Sequence, residues 1–203
     1  ALYKQLNVDG AGEDSFENFD LNVFPEISKS GVHQRAQMKA FYSTTLSFSN
    51  KFPNTVKYLI VFNGFPGLGK TYLLNCMGKR ILQRGYSVLK LTAFKLMEIL
   101  KVSYLNNDSA LTSLGDLLSV DLLLIDDLGT EPRYNNITVE YLFSLINERV
   151  LSRKHTVIAT NLTPSNVKER YGERIYSRLS DDNTGGFFEL KGDDIRTING
   201  NAD

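Results

Sequence analysis

The twelve residues NGFPGLGKTYLL, Asn63 to Leu74, constrain the fold more than any other stretch of the chain. They hold three glycines and a proline, and they sit between an apolar run, VKYLIVF at 56–62, and a segment with helical periodicity. Leu73, Leu74, Met77, Ile81 and Leu82 fall on one face of that helix, and Gly85 stops it. A loop so rich in glycine is poor at burying surface, so its value lies in what its backbone can hold. Gly64-Phe65-Pro66-Gly67-Leu68-Gly69-Lys70-Thr71 fits the pattern G-x-x-x-x-G-K-[ST] between a strand and a helix, with Tyr72 next. Glycines let successive backbone N–H groups curl around phosphate oxygens, and the helix N-terminus adds a favourable dipole. Lys70 can reach the β- and γ-phosphates of ATP, and the Thr71 hydroxyl can bind Mg²⁺.

The rest of the chain repeats the same alternation. A helix is expected over 30–48, strands at 86–93, 121–127, 155–160 and 186–192, and helices over 94–104, 109–118, 137–152 and 164–181. The strands read as continuous apolar runs, which implies a sheet covered on both faces. The fold class is therefore α/β: a three-layer α/β/α sandwich of P-loop NTPase type around a mainly parallel five-stranded sheet. Residues 1–14 read as a flexible lead-in and 15–203 as the core. In SFENFDLNVFPE, Phe16, Phe19 and Phe24 point to a segment laid over that core.

Composition narrows the setting. No apolar run approaches the roughly 20 residues that a membrane helix needs, and the polar start lacks the apolar stretch of a secretion signal. The single cysteine, Cys76, excludes an internal disulfide and reads as an inert core thiol. With only His33 and His155 present, a histidine metal site is not expected, and a reducing, cytoplasmic setting fits. The net charge is zero, but residues 1–26 hold six acids against Lys4, leaving +5 for the remainder. That bias is compatible with a polyanionic partner.

Further chemistry clusters at strand ends. In DLLLIDDLG, Asp126 is placed at the end of a buried strand to orient a metal through its water shell. Asp127, beside it, is a candidate for polarising the water that attacks the γ-phosphate; the pair also reads as a turn or a helix cap. Asn161 follows the next apolar strand and lines up with the same crevice, where its amide can hold that water, although an Asn there serves equally as a turn residue. Arg174 and Arg178 lie four apart on one helix face. They form either a solvated basic face or an arginine finger that stabilises charge on a transferring phosphoryl group.

Taken in order, GFPGLGKTYLLNC, DLLLIDDLGTEP, INERVLSRKHTVIATNLTP, ERYGERIYSRL and ELKGDDIR resemble the Walker A, Walker B, sensor I, arginine-finger and C-terminal segments of one AAA+ branch. That branch holds the bacterial replicative-helicase loaders of the DnaC/DnaI type and the IstB transposition helpers, and SFENFDL is similar to its opening segment. The resemblance implies that Lys70, Thr71, Asp126 and Asp127 form the ATP site, Asn161 is the sensor I residue, and Arg196 makes a sensor II contact. It makes Arg178 the arginine finger acting in trans through self-association, with Arg174 its rival. It implies a replicative helicase, or a transposase, as partner, and weak contact with single-stranded DNA through about 94–118, where Lys95 and Lys101 are the cations. Members usually carry an additional N-terminal domain that grips helicase or DNA, for which the sequence before Ser15 has no room. A nucleotide-regulated binding module with negligible turnover and a metabolite kinase are the alternatives from other classes.

Overall fold

The apolar runs do become strands, and each finds parallel partners. The computed structural model describes residues 14–104, 113–132 and 137–199. In chain order they form α1 (Gln34–Lys51), β1 (Leu59–Gly64), α2 (Lys70–Gln83), β2 (Val88–Thr92), α3 (Ala93–Tyr104), α4 (Leu114–Ser119), β3 (Leu122–Leu128), α5 (Ile137–Leu151), β4 (His155–Thr160), α6 (Pro164–Leu179), β5 (Gly185–Leu190) and α7 (Ile195–Asn199). The sheet order is β2-β3-β4-β1-β5, and all five strands are parallel.

Because side chains alternate along a strand, a run buried throughout feeds two cores. In β3, Leu123 and Ile125 join the core beneath α3, α5 and α6, whereas Leu122 and Leu124 join the one beneath α1 and α2. Fully burying a side chain of this size stabilises by about 1.5–3 kcal/mol. Phe16 and Phe24 lie in the second core, so the N-terminal segment is laid over it as its phenylalanines required. Tyr72 Oη donates to the Ser15 carbonyl (3.2 Å), and Asn75 Nδ2 donates to Asp14 (2.7 Å), which fixes that segment along α2. The expected lead-in lies outside the described residues, apart from Asp14, as does most of the expected helix start at 109.

Several boundaries differ from expectation for local reasons. The apolar run at 56–62 pairs only from Leu59, opposite Gly185 and Thr156, and Val56 is 82% exposed. The first helix runs later than 30–48, because Ser28 and Val32 close a turn before it and Phe52-Pro53 ends it, proline having no N–H to continue. The helix after the loop, which the sequence predicts from Gly69 to about Gln83, begins at Lys70, since Gly69 takes a left-handed conformation (φ 72°) and serves as N-cap. The helix expected over 164–181 is broken at Gly172 (φ 85°, ψ 170°), so Arg174 and Arg178 belong to a separate second half.

Two buried polar side chains staple the connections. Arg149, fully buried, donates to the carbonyls of Leu117 (2.6 Å) and Val120 (3.0 Å), to that of His155, and to Thr156 Oγ1 (2.9 Å). Burial pulls its pKa down to about 9, which leaves it charged at neutral pH. His155 is 2% exposed among the rings of Phe48, Phe52 and Tyr58, with Thr55 Oγ1 2.7 Å from Nε2. Burial and then the Arg149 charge lower its pKa to about 4.

Between its folded pKa near 4 and its ordinary value of 6.5, His155 binds a proton only in the unfolded chain. Stability from this group is therefore complete above pH 6.5 and lost as pH falls towards 4, by up to about 3 kcal/mol. Urea midpoints at pH 7, 6 and 5 should fall in the wild type and fall less in His155→Gln.

Candidate nucleotide-binding site

Because β4 lies between β1 and β3, the ends of all three strands open at the same edge of the sheet. A cleft of about 690 Å³ occupies that edge, lined by Pro66 to Tyr72, Asp127, Thr130, Asn161, Ile195 and Arg196. Its size suits a nucleotide-scale ligand. Gly64 and Phe65, expected to touch the nucleotide, do not line it. Their carbonyls instead accept Lys70 Nζ, each at 2.7 Å. Leu68 buries its side chain completely, so it offers backbone to the cleft.

The loop is held open by its neighbours. Gly67 is left-handed (φ 70°), and a Cβ there would lie 1.7 Å from Asp194 Oδ1. The Ile195 N–H donates to the Gly67 carbonyl (3.3 Å), so the C-terminal segment closes directly on the loop. Arg196 reaches the cleft from this segment and pairs with Asp194 at 2.7 Å. Lys70 is buried, which lowers its pKa to about 8 against the opposing pull of Asp127 and Asp126.

Asp126 lies just behind the cleft. Its Oδ1 accepts the Thr71 hydroxyl (3.1 Å) and the Asp127 N–H (3.1 Å), while Lys90 Nζ stands 3.2 Å from Oδ2. A hydroxyl and a carboxylate brought together beside a phosphate-sized cradle fit the donor set that Mg²⁺ takes in nucleotide sites. Asp127 faces the cleft with φ 55°. The pairing of β3 with β4 slips by one residue between Ile125 and Leu128, and this bulge turns the second acid out of the sheet's alternation. Burial and then the Asp126 charge raise its pKa above the ordinary carboxylate value. Asn161 stands exposed at the end of β4, on the same cleft.

Arg174 and Arg178 are not part of this cleft. They line a second one of about 640 Å³ with Phe143, Glu173, Ser177, Ser180 and Asp181. Arg174 pairs with Glu140 (3.3 Å) and lies over the Phe143 ring (4.2 Å). Lys90, Thr130 and Asp194 escaped the sequence reading. Only Lys90 left a signal, as the one charge in the strand VLKLT. Cys76 is buried, with a thiol pKa pushed up by burial to about 12, as suits a core thiol. Among the described residues, no helix is long and apolar enough to cross a membrane.

A parallel sheet of this order, with a G-x-x-x-x-G-K-T loop after β1 and an acidic pair ending β3, defines a P-loop nucleotide-binding fold of AAA+ type. The chain belongs to the family of IstB-like ATP binding proteins, whose profile matches residues 16–178. It is 31% identical over 169 residues to the replicative helicase loader DnaC of Buchnera aphidicola subsp. Acyrthosiphon pisum (strain APS). That match takes in 81% of this chain but 62% of the relative, so the chain spans less than two thirds of it. Domain III of the Thermotoga maritima replication initiation protein DnaA superposes with a TM-score of 0.68 at 26% identity, over 96% of this chain and 72% of that one. A crystal structure of the DnaC helicase loader shares the fold, with a TM-score of 0.65 at 23% identity over 87% of this chain and 98% of that one.

Two substitutions separate chemistry from loop shape. Lys70→Ala removes the buried cation of the glycine loop, and Gly67→Ala forces a methyl group into Asp194 at a left-handed position. Both should weaken ATP affinity by at least about tenfold, read by titration with a fluorescent ATP analogue. Gly67→Ala should also lower the melting temperature, whereas Lys70→Ala should not.

Proposed function

We propose that the chain is an ATP-hydrolysing switch that assembles on a replicative DNA helicase and helps load it onto single-stranded DNA. The observation that carries the reading is the separation of two clefts. One gathers Lys70, Thr71, Asp127, Asn161 and Arg196, and the other presents Arg174 and Arg178 away from it. The cleft's own arginine, Arg196, comes from the C-terminal segment; a finger from a neighbour completes such a site, and a head-to-tail contact of that kind builds rings or open spirals. Arg174 already serves Glu140 and Phe143 within the chain, which favours Arg178 as the finger.

In this reading Lys70 and Arg196 bind phosphate oxygens, and Thr71 with Asp126 holds Mg²⁺. The metal, when bound, neutralises charge on the phosphates. Asp127, with its raised pKa, accepts a proton from the attacking water, which Asn161 orients. Hydrolysis by an isolated chain is slow, because half of each site belongs to a neighbour. Single-stranded DNA is bound weakly through the α3 region, with Lys95 and Lys101 as contacts. Lys95 also pairs with Glu98 at 3.0 Å across an exposed helix turn, an interaction worth little in water. A cytoplasmic location completes the reading.

The IstB-like family profile favours a second reading, an ATPase that helps a transposase through the same core. Incubation of the tagged chain with purified replicative helicase, with and without ATP, separates the two. ATP-dependent capture of the helicase supports loading, and its absence turns the reading to the transposase.

Asp127→Asn should bind ATP as the wild type does while hydrolysing it about a hundredfold more slowly. Arg178→Ala and Lys70→Ala chains, each inactive alone, should recover part of the hydrolysis when mixed, because each supplies what the other lacks. A mixture that stays inactive where wild type turns over overturns the arginine in trans. Single-strand binding should weaken steeply with salt, and further on charge reversal at Lys95 and Lys101.

A further inference from the structure

Behind the nucleotide cleft sits a buried polar cluster that the reading above leaves unused. Glu131 is 3% exposed. Its Oε2 accepts the Gly129 N–H (2.8 Å). Its Oε1 accepts Arg170 through Nε (3.3 Å) and Nη2 (3.2 Å), together with the Tyr171 hydroxyl. Arg170 Nη2 also donates to the Glu131 carbonyl. Burial, reinforced by the Glu131 charge, pushes the Tyr171 hydroxyl far above its ordinary pKa, so it stays a donor. A buried ion pair is no more stabilising than well-packed apolar side chains of the same volume. What it adds is directional: each donor fixes where the carboxylate sits, and the carboxylate fixes each donor.

The two sides of the cluster belong to different parts of the molecule. Glu131 closes the turn that begins at Asp127. Within that turn the Thr130 N–H (3.2 Å) and Oγ1 (2.9 Å) both donate to the Asp127 carbonyl, and both residues line the nucleotide cleft. Arg170 and Tyr171 are the last two residues before Gly172, where α6 breaks. Nothing lies within 4 Å of a Cβ built on Gly172, so the break is free of crowding. Beyond it come Arg174 and Arg178. A displacement of the turn at Asp127 and Thr130 thus acts, through Glu131, on the first half of α6 at the point where the second half is hinged.

We infer that Glu131 is a positioning residue: it ties the acid-bearing turn of the nucleotide cleft to the hinge at Gly172, and so sets where Arg178 is presented to a neighbouring chain. This rests on the trans-arginine reading, and it assigns Glu131 a role in the chain that donates the arginine rather than in the chain that binds the nucleotide.

That asymmetry supplies the test. Arg178→Ala chains provide an intact nucleotide site without a finger, and Lys70→Ala chains provide the finger without a working site. Adding Glu131→Gln to the Lys70→Ala donor keeps an acceptor for the Gly129 N–H but removes the charge that Arg170 pairs with. The doubly substituted donor should restore hydrolysis at least about tenfold less well than the Lys70→Ala donor. Glu131→Gln alone, in an otherwise wild-type chain, should bind a fluorescent ATP analogue within about twofold of wild type. Should Glu131→Gln fail to fold, Tyr171→Phe in the donor deletes a single hydroxyl and keeps the ring, and it should show a loss in the same direction. Equal restoration by the substituted and unsubstituted donors overturns the inference and leaves the trans-arginine reading standing. If the Lys70→Ala donor itself restores nothing, the trans-arginine reading has failed and the inference falls with it.

Discussion

Parallel strands cannot be joined by tight turns, and each crossover must carry the chain back along the full length of the sheet. Here the crossovers place β4 between β1 and β3, and most of the chemistry follows from that insertion. The glycine loop leaves β1 and the acids leave β3, but a whole strand separates them. Thr71 Oγ1 nevertheless reaches Asp126 Oδ1 at 3.1 Å, because α2 crosses back to pack against β2, β3 and β4. The strand in between brings the residue that follows it, Asn161, into the gap. A sheet in sequential order would part these groups and leave the cleft without its middle wall.

The same edge concentrates charge in a way the core does not tolerate. Lys70, Lys90 and Asp126 converge in a buried or half-buried region, with Asp127 exposed beside them. Asp126 is met by the Lys90 cation and by the Thr71 hydroxyl, whereas Asp127 stands exposed on the cleft. Elsewhere, buried polar groups are spent on connections. Arg149 gathers carbonyls from both ends of its neighbourhood, and no apolar side chain could satisfy them.

How much of this could be read from the sequence depended on the range of the determining interactions. The strands and the glycine loop are local signals: apolar runs, a fixed spacing, a cap. Leu59–Gly64 and Leu122–Leu128 were visible for that reason, as were Lys70, Thr71, Asp126 and Asp127. Where a boundary depended on a distant partner, the reading slipped. Val56 is as apolar as its neighbours, yet the sheet begins only where β5 and β4 offer a partner to Leu59. Gly172 sits in a segment of helical composition, and its break shows only in the folded backbone. Phe65 belongs to the motif by spacing and still points out to solvent, 68% exposed, since the motif fixes the backbone and leaves that side chain free. Asp194 and Glu131 gave no local signal, because what they do is done to residues far away in the chain.

The fixing of the N-terminal segment along α2 has a mechanical reading. The described chain enters at Asp14, held by Asn75, and passes at once to Ser15, whose carbonyl is held by Tyr72. Both anchors lie on the opening turns of the helix that starts at Lys70. A pull that reaches Asp14 is therefore passed to α2. It arrives as a force on the helix turn that bears Lys70 and Thr71, and the setting of the glycine loop becomes a quantity that tension can change.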